Sequence, residues 1–212
     1  MSGRCRSVRY HLAPPRGWLN DPNGMVRHEG RWHVFYQHNP HAPVHATIGW
    51  GHASSADLLT WRHHQMAFGP TPGGPDAHGC WSGTFLPGAG APAVVYSGIA
   101  DETLVSTVCL RWGSPDLETW GEPVVVATTP ATDGIRVMRD PFVFSWSGRR
   151  YAVLGAGLED GTPAVLLFDC QDPLAWRYLG IWLTSRSPAL VGMPVADIWE
   201  CPQVLDLAGG SL

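Results

Sequence analysis

Apolar residues in this chain come in short runs of strand length, divided by Gly, Pro and charged turns, and almost nowhere at helical spacing. His33-Val34-Phe35-Tyr36, Ala93-Val94-Val95-Tyr96 and Tyr151-Ala152-Val153-Leu154 are of this kind. The best helical stretch, residues 188–199, is interrupted by Gly192 and Pro194 and reads as an irregular connection. The pattern predicts an all-β chain.

A repeat organises those strands. Asp57-Leu58-Leu59-Thr60-Trp61 returns as Asp116-Leu117-Glu118-Thr119-Trp120 and, more loosely, as Asp172-Pro173-Leu174-Ala175-Trp176. The spacing of about sixty residues suits a four-stranded propeller blade with its loops. Each Trp then precedes the outermost strand of a blade and is expected to pack between blades. The other end of the unit repeats too. Asp21-Pro22, Asp140-Pro141 and Glu200-Cys201-Pro202 each open an apolar stretch, and Trp81-Ser82-Gly83 takes that place in the second unit. The expected blades cover about 18–65, 79–126 and 138–182, with the first strand of a fourth at about 199–212.

First strands of blades line the propeller axis, so residues opening them converge at one mouth of the channel. Asp21, Asp140 and Glu200 are therefore expected to face one another, an arrangement suited to acid/base and nucleophilic chemistry on sugars. Taken alone, Asn20-Asp21-Pro22-Asn23-Gly24 is also the composition of a plain turn. The repeat is what separates the two readings.

Composition narrows the field further. With net charge −4 and 15% charged residues, the scattered Lys and Arg imply neither nucleic acid nor an anionic membrane as partner. Residues 1–15 read as a tail without an apolar core, not as a signal peptide, which points to the cytoplasm. The five cysteines are odd in number and lack a paired C-x-x-C, so most of them read as reduced core residues. All ten histidines lie between His11 and His78, none in a helical H-x-x-x-H pair, and the default is solvated or turn histidines with no metal.

Six motifs then occur in order: Trp18-Leu19-Asn20-Asp21-Pro22-Asn23-Gly24, Phe35-Tyr36-Gln37, Trp50-Gly51-His52, Trp81-Ser82-Gly83, Arg139-Asp140-Pro141 and Trp199-Glu200-Cys201-Pro202. In these the chain resembles glycoside hydrolase family 32, the invertase, β-fructofuranosidase and sucrose-6-phosphate hydrolase group. The resemblance implies a five-bladed β-propeller followed by a β-sandwich, acting with retention on terminal β-fructofuranosides such as sucrose. By position it implies Asp21 as nucleophile, Glu200 as acid/base and Asp140 as transition-state stabiliser. It places Asn20, Gln37, Trp50, Trp81, Ser82 and Arg139 around the fructose, and calls for no cofactor and no metal. A small sugar is the implied partner, and the motifs fix no oligomeric state.

The local chemistry fits those roles. Asn20 and Asn23 are donors available to lower the Asp21 pKa, Trp199 and Cys201 surround Glu200 with apolar groups that raise its own, and Arg139 is expected to keep Asp140 ionised. Two features depart from the family pattern. His45 stands five residues before Trp50-Gly51-His52, where many secreted members carry Trp, which favours sucrose or sucrose 6-phosphate over long fructans. Five blades need about 300 residues, so residues 16–212 are expected to form an incomplete propeller of about three blades, with the sandwich absent. Two other functions stay open: a non-catalytic remnant that binds fructosides or a partner, and a fructosyltransferase.

Overall fold

The computed structural model describes residues 11–190, 192 and 196–205. Twelve strands form three four-stranded antiparallel sheets, each in simple sequence order. The first holds β1 (Trp18–His28), β2 (Arg31–Asn39), β3 (Gly49–Ser55) and β4 (Trp61–His63). The second holds β5 (Gly79–Phe85), β6 (Ala93–Ile99), β7 (Ser106–Trp112) and β8 (Val124–Ala127). The third holds β9 (Ile135–Trp146), β10 (Arg149–Leu158), β11 (Pro163–Asp169) and β12 (Arg177–Thr184).

Turn chemistry sets the register of the leading hairpins. Glu29 and Gly30 have φ of 46° and 80°, and Ser147 and Gly148 have 48° and 75°. Two successive left-handed residues give the turn whose twist matches paired strands. The first hairpin accordingly pairs His28 with Arg31, and the second pairs Trp146 with Arg149.

The middle strands are covered on both faces, which is why they read as continuous apolar runs and not as alternation. Every residue of β3 and β6 is buried. Phe35, Trp50, Phe68, Cys80, Tyr96 and Leu117 fill the space between the first and second sheets. Leu86, Val95, Leu110, Met138, Leu154 and Leu166 do the same between the second and third. β5 packs against both β1 and β9, so the leading strands of the three sheets lie side by side.

Several sequence expectations change here. Trp120 and Trp176 pack between sheets as expected, but Trp61 packs with Val34, Tyr36 and Ala53 of its own sheet. His33, His38 and His52 are buried within strands, because hydrogen bonds to ring or backbone partners satisfy them there. Cys80, Cys109 and Cys170 are buried thiols, whereas Cys201 is exposed. Residues 199–205 form no strand, and the rest of the expected fourth-unit strand, like Cys5 and residues 1–10 of the tail, lies outside the described residues.

Candidate active site

Each leading strand carries an irregularity at its candidate residue. In β1 the register runs Asn20↔Gln37 then Pro22↔Tyr36, which leaves Asp21 as the extra residue of a bulge. In β5 it jumps from Cys80↔Gly98 to Gly83↔Tyr96, across Trp81 and Ser82. In β9 it jumps from Arg139↔Gly155 to Phe142↔Val153, across Asp140 and Pro141, with Asp140 at φ 58°. A bulge bends its strand and re-aims one side chain out of the pleat. Three of them at one level turn side chains from three sheets into a common space.

That space is a cavity of about 260 Å³ lined by Asn20, Asp21, Gln37, His45, Trp81, Arg139, Asp140, Glu200 and Cys201. It is polar-walled and suits a single sugar ring better than a drug-sized apolar ligand. The three candidate acids therefore share one cavity, together with four of the six other candidate residues.

Asp21 is held by residues of other strands. Its Oδ2 accepts from Gln37 Nε2 at 3.0 Å and from Ser82 Oγ at 2.8 Å, and Gln37 Nε2 also donates to Ser82 Oγ. The asparagines expected to donate to Asp21 do not bond it, and their Oδ1 atoms accept from other groups. Asn20 Oδ1 accepts from Trp18 Nε1 at 2.6 Å, and Asn23 Oδ1 accepts from the Gly83 amide at 3.3 Å. The bulge explains this, since it turns Asp21 away from its own strand neighbours and toward β2 and β5.

Trp50 and Ser82 stand behind the cavity wall. Trp50 is fully buried in the core and donates from Nε1 to the Trp81 carbonyl at 3.0 Å. It positions Trp81 instead of touching a ligand, a correction that follows from its place in the all-buried β3. Trp81 does reach the cavity, with the Arg139 guanidinium 5.0 Å over its ring and His45 edge-on at 6.0 Å. Behind β5, the buried Asp76 carboxylate accepts from Tyr96, Arg111 and Cys80, a network that fixes the strand carrying Trp81 and Ser82.

The electrostatics of the second and third acids differ from expectation. Asp140 is 7% exposed, and its pKa is pushed up to about 6, by burial first and by the Glu200 charge next, against the Cys201 amide and Arg139. Its Oδ2 accepts from the Cys201 amide at 3.1 Å, while its own amide donates to Ser97 Oγ at 2.7 Å. Arg139 lowers the Asp140 pKa but does not offset its burial, and its Nη1 pairs with Glu200 Oε1 at 3.2 Å. Nor does Glu200 sit in apolar surroundings, with 56% of its side chain exposed.

Glu200 is delivered by backbone contact. The Trp199 amide donates to the Ala156 carbonyl at 3.3 Å. A Cβ on Gly155 would lie 2.1 Å from the Trp199 carbonyl oxygen, so only glycine lets residues 197–200 lie this close to β10. Two lining residues were not singled out from the sequence as site residues. His45 appeared only as a departure from the family pattern, and Cys201 only as a motif letter. Asn23 Nδ2, Gln37 Oε1 and Arg139 Nε are buried without a partner among the described residues.

These observations define a glycosidase-type carboxylate cavity on propeller-like sheets, and the comparisons with known proteins agree. The glycosyl hydrolases family 32 N-terminal domain matches residues 11–211, and the chain belongs to that family. It is 38% identical to a sucrose-6-phosphate hydrolase of Klebsiella pneumoniae, over 94% of this chain and 42% of that protein. It is 34% identical to a rice (Oryza sativa subsp. indica) β-fructofuranosidase, insoluble isoenzyme 7, over 98% of this chain and 35% of that protein. A Bombyx mori β-fructofuranosidase structure superposes with TM-score 0.78 at 29% identity, over 95% of this chain and 42% of that one. The chain thus spans well under half the length of these relatives.

Proposed function

We propose that this chain carries the catalytic carboxylates of a retaining β-fructofuranosidase acting on sucrose or sucrose 6-phosphate. The observation that carries the proposal is the meeting of Asp21 from β1, Asp140 from β9 and Glu200 from the segment after β12 in one sugar-sized cavity. The same Bombyx mori enzyme was also solved, as a mutant, in complex with sucrose.

In this reading Ser82 and Gln37 occupy Asp21 Oδ2 and spread its negative charge, leaving Oδ1 to attack the anomeric carbon. The glycosidic C–O bond breaks with its electron pair on the leaving oxygen, which takes the Glu200 proton, and a fructosyl ester forms on Asp21. Water then attacks the same carbon while Glu200 removes its proton, and the Asp21 carboxylate departs. Asp140, fixed at both its amide and its carboxylate, accepts sugar hydroxyls. The Arg139–Glu200 pair must open for Glu200 to carry the proton it donates.

One observation favours a second reading, a fructoside binder without turnover: the Glu200 side chain is 56% exposed and tied to the Arg139 guanidinium, not held over the cavity by buried partners as Asp21 is. Incubating the purified chain with sucrose and measuring glucose and fructose decides between the two. Sugar release that disappears in Asp21→Asn supports the enzyme, and a fructose-induced change in Trp fluorescence without release supports the binder. Transferred fructosyl products at high sucrose would identify a transferase.

A further inference from the structure

A second cluster of metal-ligating side chains lies away from the carboxylate cavity, where the first two sheets meet. His33 on β2, His52 on β3 and His64 just after β4 form a stack. The His52 ring centroid lies 5.2 Å from that of His33 and 4.2 Å from that of His64, with interplanar angles of 28° and 18°. His33 Nδ1 and His52 Nε2 share a hydrogen bond of 2.9 Å. Glu118, in the turn between β7 and β8, closes the cluster from the second sheet, its Oε1 2.7 Å from His64 Nδ1.

We propose that His52, His64 and Glu118 bind a divalent transition-metal cation of the Zn²⁺ or Co²⁺ type, tying the outer turn of the second sheet to the first. One ligand atom from each lies within 4.8 Å of the others. Imidazole bonds to such a metal are about 2.0–2.1 Å, so binding brings neighbouring donors to about 3–3.5 Å and turns the nearly parallel His52 and His64 rings until one nitrogen of each faces a common point. Two imidazoles and one carboxylate form a borderline donor set that favours Zn²⁺ or Co²⁺ over Ca²⁺ or Mg²⁺.

The surroundings suit that role. His64 Nε2 is 2.8 Å from Ser54 Oγ, so the tautomer that bonds a metal through Nδ1 keeps its proton on Nε2, with the serine oxygen accepting it. His52 is buried, and the ring bond to His33 fixes its orientation. Glu118 is 40% exposed, which gives the cation a path from solvent. A cation would use both rings and cross-link the sheets.

The test is titration of the full chain with Co²⁺, followed by visible absorption, with thermal unfolding recorded in parallel with and without Zn²⁺. A single saturable equivalent is expected, with a rise in melting temperature on Zn²⁺ addition. His64→Gln and Glu118→Gln should each weaken binding by about tenfold or more. Far-UV circular dichroism establishes that both variants are folded, and Glu118, on an exposed turn, is the safer of the two. Absence of saturable binding overturns the proposal, as does binding that either folded variant leaves intact.

Discussion

Asp21 and Glu200 open onto the same cavity but are held in different ways. Asp21 sits in a strand bulge, and two side chains from two other strands, both almost fully buried, bond one of its oxygens. Glu200 sits on a segment without strand structure, reaches the cavity through backbone contact with β10, and has a single salt bridge at an exposed side chain. A nucleophile must be held rigidly in line for attack, whereas an acid/base must gain and lose a proton and change partners. The buried network suits the first requirement, and the looser segment suits the second.

The sharpest way to break that contrast is to remove Asp21, the proposed nucleophile. Asp21→Asn keeps the shape of the side chain and one acceptor oxygen, so the fold should survive. Sucrose turnover should fall by about three orders of magnitude or more. Turnover within tenfold of the parent would mean that Asp21 is not the attacking group.

Gly155→Ala tests the other side without touching any acid. The added Cβ would meet the Trp199 carbonyl at 2.1 Å, so residues 197–200 must move off β10. A shift of about an ångström at a catalytic group costs about a hundredfold in rate. Turnover should fall by that order while fructose affinity, set largely by the Asp21 side, changes little. Equal losses in KM and kcat would show that the two sides are not separable.

Ser82→Ala acts on the rigid side alone. It removes one of the two bonds to Asp21 Oδ2 and leaves Gln37 Nε2 in place. Loss of a charge-assisted hydrogen bond of this kind is worth about 1.5–3 kcal/mol, or about ten- to a hundredfold in kcat. A change below twofold would assign Ser82 to packing.

The contrast also explains what the sequence disclosed and what it hid. The three sheets were legible because an Asp-to-Trp motif closes each unit, tightly in the first two and loosely in the third, and an Asp-Pro opens the first and third. The acids were legible because propeller geometry converts equal positions in different units into neighbours. Partners of the acids were not legible. Asn20 and Asn23 stand beside Asp21 in sequence, yet a bulge hands Asp21 to Gln37 and Ser82, which come from other strands. Arg139 stands beside Asp140 yet pairs with Glu200, because the bulge turns both residues into the cavity onto which Glu200 opens. The histidines of β2 and β3 looked like surface residues because a lone imidazole carries no sign of the ring stacked on it.

Asp140 joins the two sides, and its titration measures how tightly. Its amide donates to Ser97 on β6, and its carboxylate accepts from Cys201 beside Glu200. Burial raises its pKa to about 6, above the value near 4 of an unfolded chain. The native state therefore binds the extra proton, and the associated stability is complete below about pH 4 and lost as pH rises through 6. Asp140→Asn carries no charge at either pH, tolerates the left-handed backbone, and keeps an oxygen for the Cys201 amide. The variant should be more stable than the parent at pH 7 by about 1–3 kcal/mol in urea unfolding, with the gap closing near pH 4. It should also lose turnover, so stability and activity move in opposite directions at this residue. A gap that stays constant between pH 4 and 8 would mean that Asp140 titrates as an ordinary exposed acid, and that residues 197–201 do not close over it in solution.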